Sequence, residues 1–198
     1  KISYSIHLHF LTALENLHRL DEYESFIGAM RAIFPQKGVD LTKLLAKFYI
    51  KNSRYENVDD LLRESLEKTM TVDDFSAIYN FHLDYEKMFI ETILEELKVN
   101  PHLQKDSNWG LRLEAHMSHL QDLTDLQKLK LNDLKIRQKP YLVSNWLERA
   151  ALSGPVERQC DVYAKAILSI DPLKVTIPGS FGILWCEYAQ LYWDAEDF

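Results

Sequence analysis

His116 and His119 stand three residues apart with Glu114 close by, a spacing that places two imidazoles on one face of a helix. A metal site can begin that way. Zinc, however, asks for a third and a fourth ligand, and none lies at a telling spacing, so the pair reads as polar helix-face histidines. His7 and His9 flank Leu8 and point to different faces. Gly179-Ser-Phe-Gly182 is too short to cradle a phosphate and follows no strand; it reads as a loop leading into a helix. No Gly-x-Ser-x-Gly elbow presents an activated serine. Cys160 and Cys186 are too few for a disulfide framework and fit a reducing compartment, the cytosol or nucleus. No metal, cofactor or small-molecule substrate is expected, and the chain reads as a non-enzyme.

One group of side chains remains with a chemistry of its own. Lys128, Lys130, Lys135, Arg137 and Lys139 form a basic cluster, interleaved with Leu126, Leu129, Leu131 and Leu134 and with Asp125 and Asp133. Such a cluster can contact RNA or an acidic partner; the blander reading, a solvated helix face, is the weightier one. The whole chain carries 30 acidic against 23 basic residues, a net charge of −7. Affinity for phosphate backbones rests on a basic surface, so any RNA contact is secondary.

The elements that must position these residues follow from composition. There are six glycines and six prolines in 198 residues, about half their ordinary share. Both punctuate turns. Their scarcity argues against a sandwich or barrel, which turns roughly every 8–12 residues, and against glycine-built phosphate loops. Leucine, a strong helix former, occurs 30 times. Hydrophobic residues make up 46%, ample for a core. No apolar run approaches the ~20 residues that span a bilayer. The chain opens at Lys1 with neither a methionine nor a signal pattern, and reads as a stretch of something longer.

Apolar steps of three and four predict helices over Tyr4–Leu20, Glu22–Phe34, Leu41–Ile50 with Asp40 as N-cap, Tyr55–Met70, and Val72 to about Lys98 after Thr71. A loop is expected over 99–108. Further helices are predicted over Trp109–Leu120, Leu123–Gln138, Tyr141–Leu152 opened by Pro140, Val156–Ile170 stopped before Pro172, and Gly182–Phe198.

These helices repeat. Trp185 with Tyr188, Ala189, Leu191 and Tyr192 sets offsets of three, four, six and seven. The same offsets from Trp146 give Arg149, Ala150, Leu152 and Ser153; from Tyr79, His82, Leu83, Tyr85 and Glu86; from Thr42, Leu45, Ala46, Phe48 and Tyr49. An aromatic opens three of the four, and alanine stands at the fourth-residue offset in three. The intervening helices match as well, with Ser65 and Ala166 as small residues among large ones. This is the pattern of an A helix whose aromatic fills a groove and a B helix that approaches over a small residue. Such pairs bury their apolar faces by stacking. Pairs every 34–39 residues without the TPR glycines suit the half-a-TPR (HAT) repeat. The expected architecture is all-α, a right-handed α-solenoid of four to five HAT pairs over 1–198, with apolar surface open at both ends.

Asp74-Phe-Ser-Ala-Ile-Tyr-Asn-Phe-His-Leu-Asp-Tyr-Glu86, Ile136-Arg-Gln-Lys-Pro140 followed by Trp146, Ser169-Ile-Asp-Pro-Leu-Lys-Val175 and Leu184-Trp185-Cys-Glu-Tyr-Ala-Gln-Leu-Tyr192 resemble segments of the HAT-repeat splicing factors of the SYF family, the XPA-binding protein two type. Lys43 to Phe75, including Glu67-Lys-Thr-Met-Thr-Val-Asp-Asp-Phe75, resembles another. The likeness covers roughly 40–98 and 109–198; residues 1–39 are HAT-like but unplaced. Thr42 departs from the family's tryptophan. The resemblance implies a nuclear, non-catalytic scaffold of the spliceosome's NineTeen complex, partnered by a crooked-neck-like HAT protein among others. It supplies no catalytic residue. A HAT or TPR module gripping a peptide or RNA in another RNA-processing assembly is the alternative.

Overall fold

The computed structural model describes residues 3–100 and 107–195, and every regular element among them is helical. The order is α1 (Tyr4–Asn16), α2 (Leu20–Ile33), a 3-10 turn (Pro35–Lys37), α3 (Gly38–Lys51), α4 (Tyr55–Lys68), α5 (Val72–Val99), α6 (Ser107–Gln138), α7 (Val143–Leu152), α8 (Val156–Ser169), a second 3-10 turn (Pro172–Lys174) and α9 (Ser180–Ala195). None of the described helices is long and apolar enough to cross a membrane.

Two kinds of connection recur. The turns after α1, α3 and α7 each contain one residue with left-handed backbone: His18 (φ 53°), Ser53 (φ 58°) and Gly154 (φ 73°). That conformation lets the amide beyond a helix end fold back onto its last carbonyls. Arg19 N donates to Leu14 O and Arg54 N to Tyr49 O in this way. Only one of the three is a glycine, so the glycine count understates the number of turns. The connections after α2, α6 and α8 use Pro35, Pro140 and Pro172 instead, since proline cannot continue a helix. Pro172 follows α8, and the Asp171 carboxylate accepts from Leu173 N at 3.0 Å.

Some boundaries differ from expectation. The helices predicted at Trp109–Leu120 and Leu123–Gln138 are one helix, α6. Gln121-Asp122 does not interrupt it: the Gln121 amide donates to Asp125 one turn on, and Thr124 Oγ1 donates to Leu120 O. Helix α7 starts at Val143 rather than at Tyr141 directly after Pro140. Asp40 lies in the first turn of α3, paired with Lys37 at 3.1 Å, rather than at its N-cap. The predicted loop loses Val99 to α5 and both Ser107 and Asn108 to α6; residues 101–106 lie outside the described residues.

The chain divides into two compact units. The first comprises residues 1–69 and 73–92. Its core joins Leu11 and Leu14 of α1, Tyr23, Ile27 and Met30 of α2, Leu41, Leu45 and Phe48 of α3, Val58 and Leu62 of α4, and Ile78 and Tyr85 of α5. Tyr23 lies flat on Phe48, centroids 3.9 Å apart and planes 9° from parallel. Burial, aided by the Glu15 charge, pushes the Tyr23 hydroxyl up to about 12. Burial, aided by a hydrogen bond with Glu24, pushes Tyr49 to about 12 as well. A tyrosine whose folded pKa exceeds its unfolded value, about 10, stabilises the fold fully below that unfolded value. The contribution is then lost as pH rises through the folded one. Thermal melts should therefore hold level up to about pH 10 and fall between about pH 10 and 12; a melting temperature unchanged across that window would contradict the burial of these hydroxyls.

The second unit comprises residues 70–72 and 93–198. Its core gathers Val143, Trp146 and Ala150 of α7, Tyr163 and Ala166 of α8, Ile170, and Leu184 of α9. Polar bonds fasten α6 to α7. Asn132 Nδ2 donates to Asn145 O at 2.9 Å, and Asn145 Nδ2 donates to Lys135 O at 3.0 Å. Trp146 Nε1 donates to Pro140 O at 2.9 Å. The Gln138 amide reaches Met70 O within the same unit.

Candidate functional site

The repeated A-helix offsets fall on α3, α5, α7 and α9, and the B-type segments fall on α4 and α8. On α3 all five positions, Thr42, Leu45, Ala46, Phe48 and Tyr49, are buried. Thr42 stands where the SYF-type helix has tryptophan, and its place is satisfied differently: Arg31 Nη2 of α2 donates to its Oγ1 at 2.9 Å. On α5, Tyr79, His82, Tyr85 and Glu86 are buried and Leu83 is half-buried. Phe75 stacks on Tyr79 at 5.2 Å. His82 Nε2 lies 3.6 Å from the Asp59 carboxylate of α4. On α7, Trp146 and Ala150 are buried, and Ala166 of α8 is fully covered in the same cluster. A side chain larger than alanine at Ala150 or Ala166 would hold the two helices apart.

Helix α9 repeats the pattern with a different outcome. Leu184 is fully buried, and Phe181, Tyr188 and Leu191 pack against the core. Trp185 is 49% exposed, and Ala189 and Tyr192 are exposed with it. Trp146 at the equivalent place is only 5% exposed. The difference is one of neighbours, since α8 and α9 both pack on α7, whereas among the described residues no B helix follows α9. At the other end, Ile6 and Phe10 of α1 are open, as expected.

The basic cluster does not form one patch. At about 100° per residue, Lys128, Lys135 and Lys139 share one side of α6 and its extension, while Lys130 and Arg137 share the opposite side. Lys135 binds both oxygens of Glu148 of α7, at 2.8 and 2.9 Å, and so joins the α6–α7 seam. Lys128 lines an open cleft of about 350 Å³ where α6, α7 and α8 meet. His116 and His119 are half-buried on α6, and Cys186 is exposed.

Sequence reasoning missed the polar fastening of α6 to α7. Besides the two asparagines, Arg149 Nη1 lies 2.7 Å from Asp133 Oδ1 and donates to Leu129 O at 3.1 Å. A signal was available. Asn132 and Asn145 occupy apolar phases of their helices, and a buried amide must find partners there.

A chain of paired helices carrying a recurring aromatic-and-alanine face defines a HAT-type helical repeat protein. The profile described as the pre-mRNA-splicing factor SYF1 middle HAT repeat matches residues 22–170, and the chain belongs to this family. The match starts inside the stretch 1–39 that motif resemblance left unplaced. The chain is 41% identical over 196 residues to Pre-mRNA-splicing factor SYF1 of Saccharomyces cerevisiae, covering 98% of this chain and 23% of that protein. It is 36% identical over 197 residues to the protein of that name in Candida glabrata, covering 98% and 24%. Against the Homo sapiens protein the figures are 28% over 151 residues, 76% and 17%. The chain thus spans about a quarter of the length of the fungal relatives. Its family is one of helical-repeat splicing factors, not enzymes.

Proposed function

We propose that this chain serves as a scaffold segment in pre-mRNA splicing, displaying helix faces to other proteins of the NineTeen complex in the nucleus. On this reading, a crooked-neck-like HAT protein is one of those partners, RNA contact is secondary, and residues 1–198 contribute consecutive HAT pairs to one array. The observation that carries the reading is the coincidence of two facts. The A-helix offsets recur on α3, α5, α7 and α9, and the family match, from residue 22 to 170, runs across the first three of these helices. Stacked helix pairs bind through extended surfaces, which suits a protein that organises others.

The test is a pull-down from nuclear extract with the 198-residue chain as bait. NineTeen-complex subunits should be enriched over a bait in which α9 carries Trp185→Glu and Tyr192→Glu. Recovery of 3′-end-processing factors without any NineTeen subunit would overturn the assignment.

A further inference from the structure

The cleft between α6, α7 and α8 lies wholly within the second unit and has an aliphatic floor. Leu126 and Leu129 come from α6, Leu152 from α7 and Val162 from α8. Three cations line it, in different states. Arg149 is engaged by Asp133 and by Leu129 O. Lys128 of α6 and Arg158 of α8 are exposed, and among the described residues neither has an ion-pair partner. The two lining carboxylates also differ. Asp125 accepts from the Gln121 amide at 3.0 Å through each of its oxygens, whereas Asp161, one turn beyond Arg158, has no ion-pair partner among the described residues.

We propose that this cleft docks a short peptide segment that carries acidic residues beside leucine-type ones. An aliphatic side chain seats on the leucine floor and is desolvated there. A carboxylate meets Lys128 and Arg158, whose planar guanidinium suits bidentate carboxylate pairing. The same features disfavour a nucleic acid. Two unengaged cations make a poor track for a phosphate backbone, and the lining contains no aromatic ring on which a base could stack. The inference deepens the scaffold reading by naming a partner chemistry. It is read out with purified components, so its failure would leave the nuclear pull-down result standing.

The probe is a fluorescein-labelled peptide of repeated Glu-Leu-Leu units, titrated by anisotropy into the 198-residue chain. Saturable binding is expected. It should weaken at least ~10-fold in Lys128→Glu and in Arg158→Glu, tighten about threefold in Asp161→Asn as the repelling charge is lost, and stay unchanged in Lys130→Glu on the opposite side of α6. All four positions are exposed, and circular dichroism checks that each variant folds. Three results would overturn the proposal: no binding of the peptide, equal weakening by Lys130→Glu and Lys128→Glu, or binding of a uridine oligonucleotide through Lys128 and Arg158 where the peptide does not bind.

Discussion

Replacing Trp146 by alanine should cost about 3–5 kcal/mol, the range for truncating a buried large aromatic. Trp146 is 5% exposed and packs in the cluster formed by Val143, Ala150, Tyr163, Ala166, Ile170 and Leu184. Its removal opens a cavity at the point where α7 meets α8 and α9, and two rigid helices cannot collapse fully into it. The indole also donates to Pro140 O, which would be left without that donor, at a further cost of about 1 kcal/mol. For a chain of this size, 3–5 kcal/mol is a melting-temperature fall of roughly 6–20 °C. Trp146→Phe should fall in between, because it keeps most of the apolar volume and loses only the indole donor. Thermal and urea denaturation of the three proteins provide the check. A Trp146→Ala melt within error of the parent would refute the burial of this side chain and its role as the plug of the repeat.

The second large effect lies in the first unit. Phe48→Ala should cost about 3–5 kcal/mol, because Phe48 is 2% exposed in the core where α2, α3 and α4 converge. About 0.5–1.5 kcal/mol of that is specific to its face-to-face contact with Tyr23. A double-mutant cycle with Tyr23→Leu isolates this part. A coupling energy of at least about 0.5 kcal/mol is expected, and strictly additive losses would show that the stack contributes nothing beyond area. Native-state hydrogen exchange should place the lost protection in α2, α3 and α4.

Much of this architecture was legible from periodicity alone. The A-helix offsets from Thr42, Tyr79 and Trp146 fall on buried faces because a helix repeats its exposure every 3.6 residues whatever it packs against. Ala166 was legible for a related reason: a small residue inside an apolar stripe marks where a neighbouring helix comes close. The basic cluster was misleading as a unit. Five cations within twelve residues look like a patch in a linear reading, but the helical phase of α6 puts Lys130 and Arg137 on the side away from Lys128. Of the rest, Lys135 is engaged only because α7 presents Glu148 to it. Arg158 stands thirty residues from Lys128 in the chain, with no sequence pattern that links the two. The two line one cleft only because α6 and α8 both pack on α7.

The scarcity of glycine and proline by itself determined that the protein is helical, and the recurring aromatic and alanine positions determined that its helices come in pairs. Those properties are local, set by the chemistry of side chains three or four apart on one helix. Only the tertiary structure decided how a chain with so few glycines turns so often. His18 and Ser53 take the left-handed conformation because the packed helices on either side hold the turn closed, a strain of about 1–2 kcal/mol per residue that an isolated turn would relax. Only the tertiary structure decided, too, that Trp146 is buried while Trp185 is half exposed among the described residues. The two occupy the same place in the same motif, and burial is conferred by the helix that arrives to cover them.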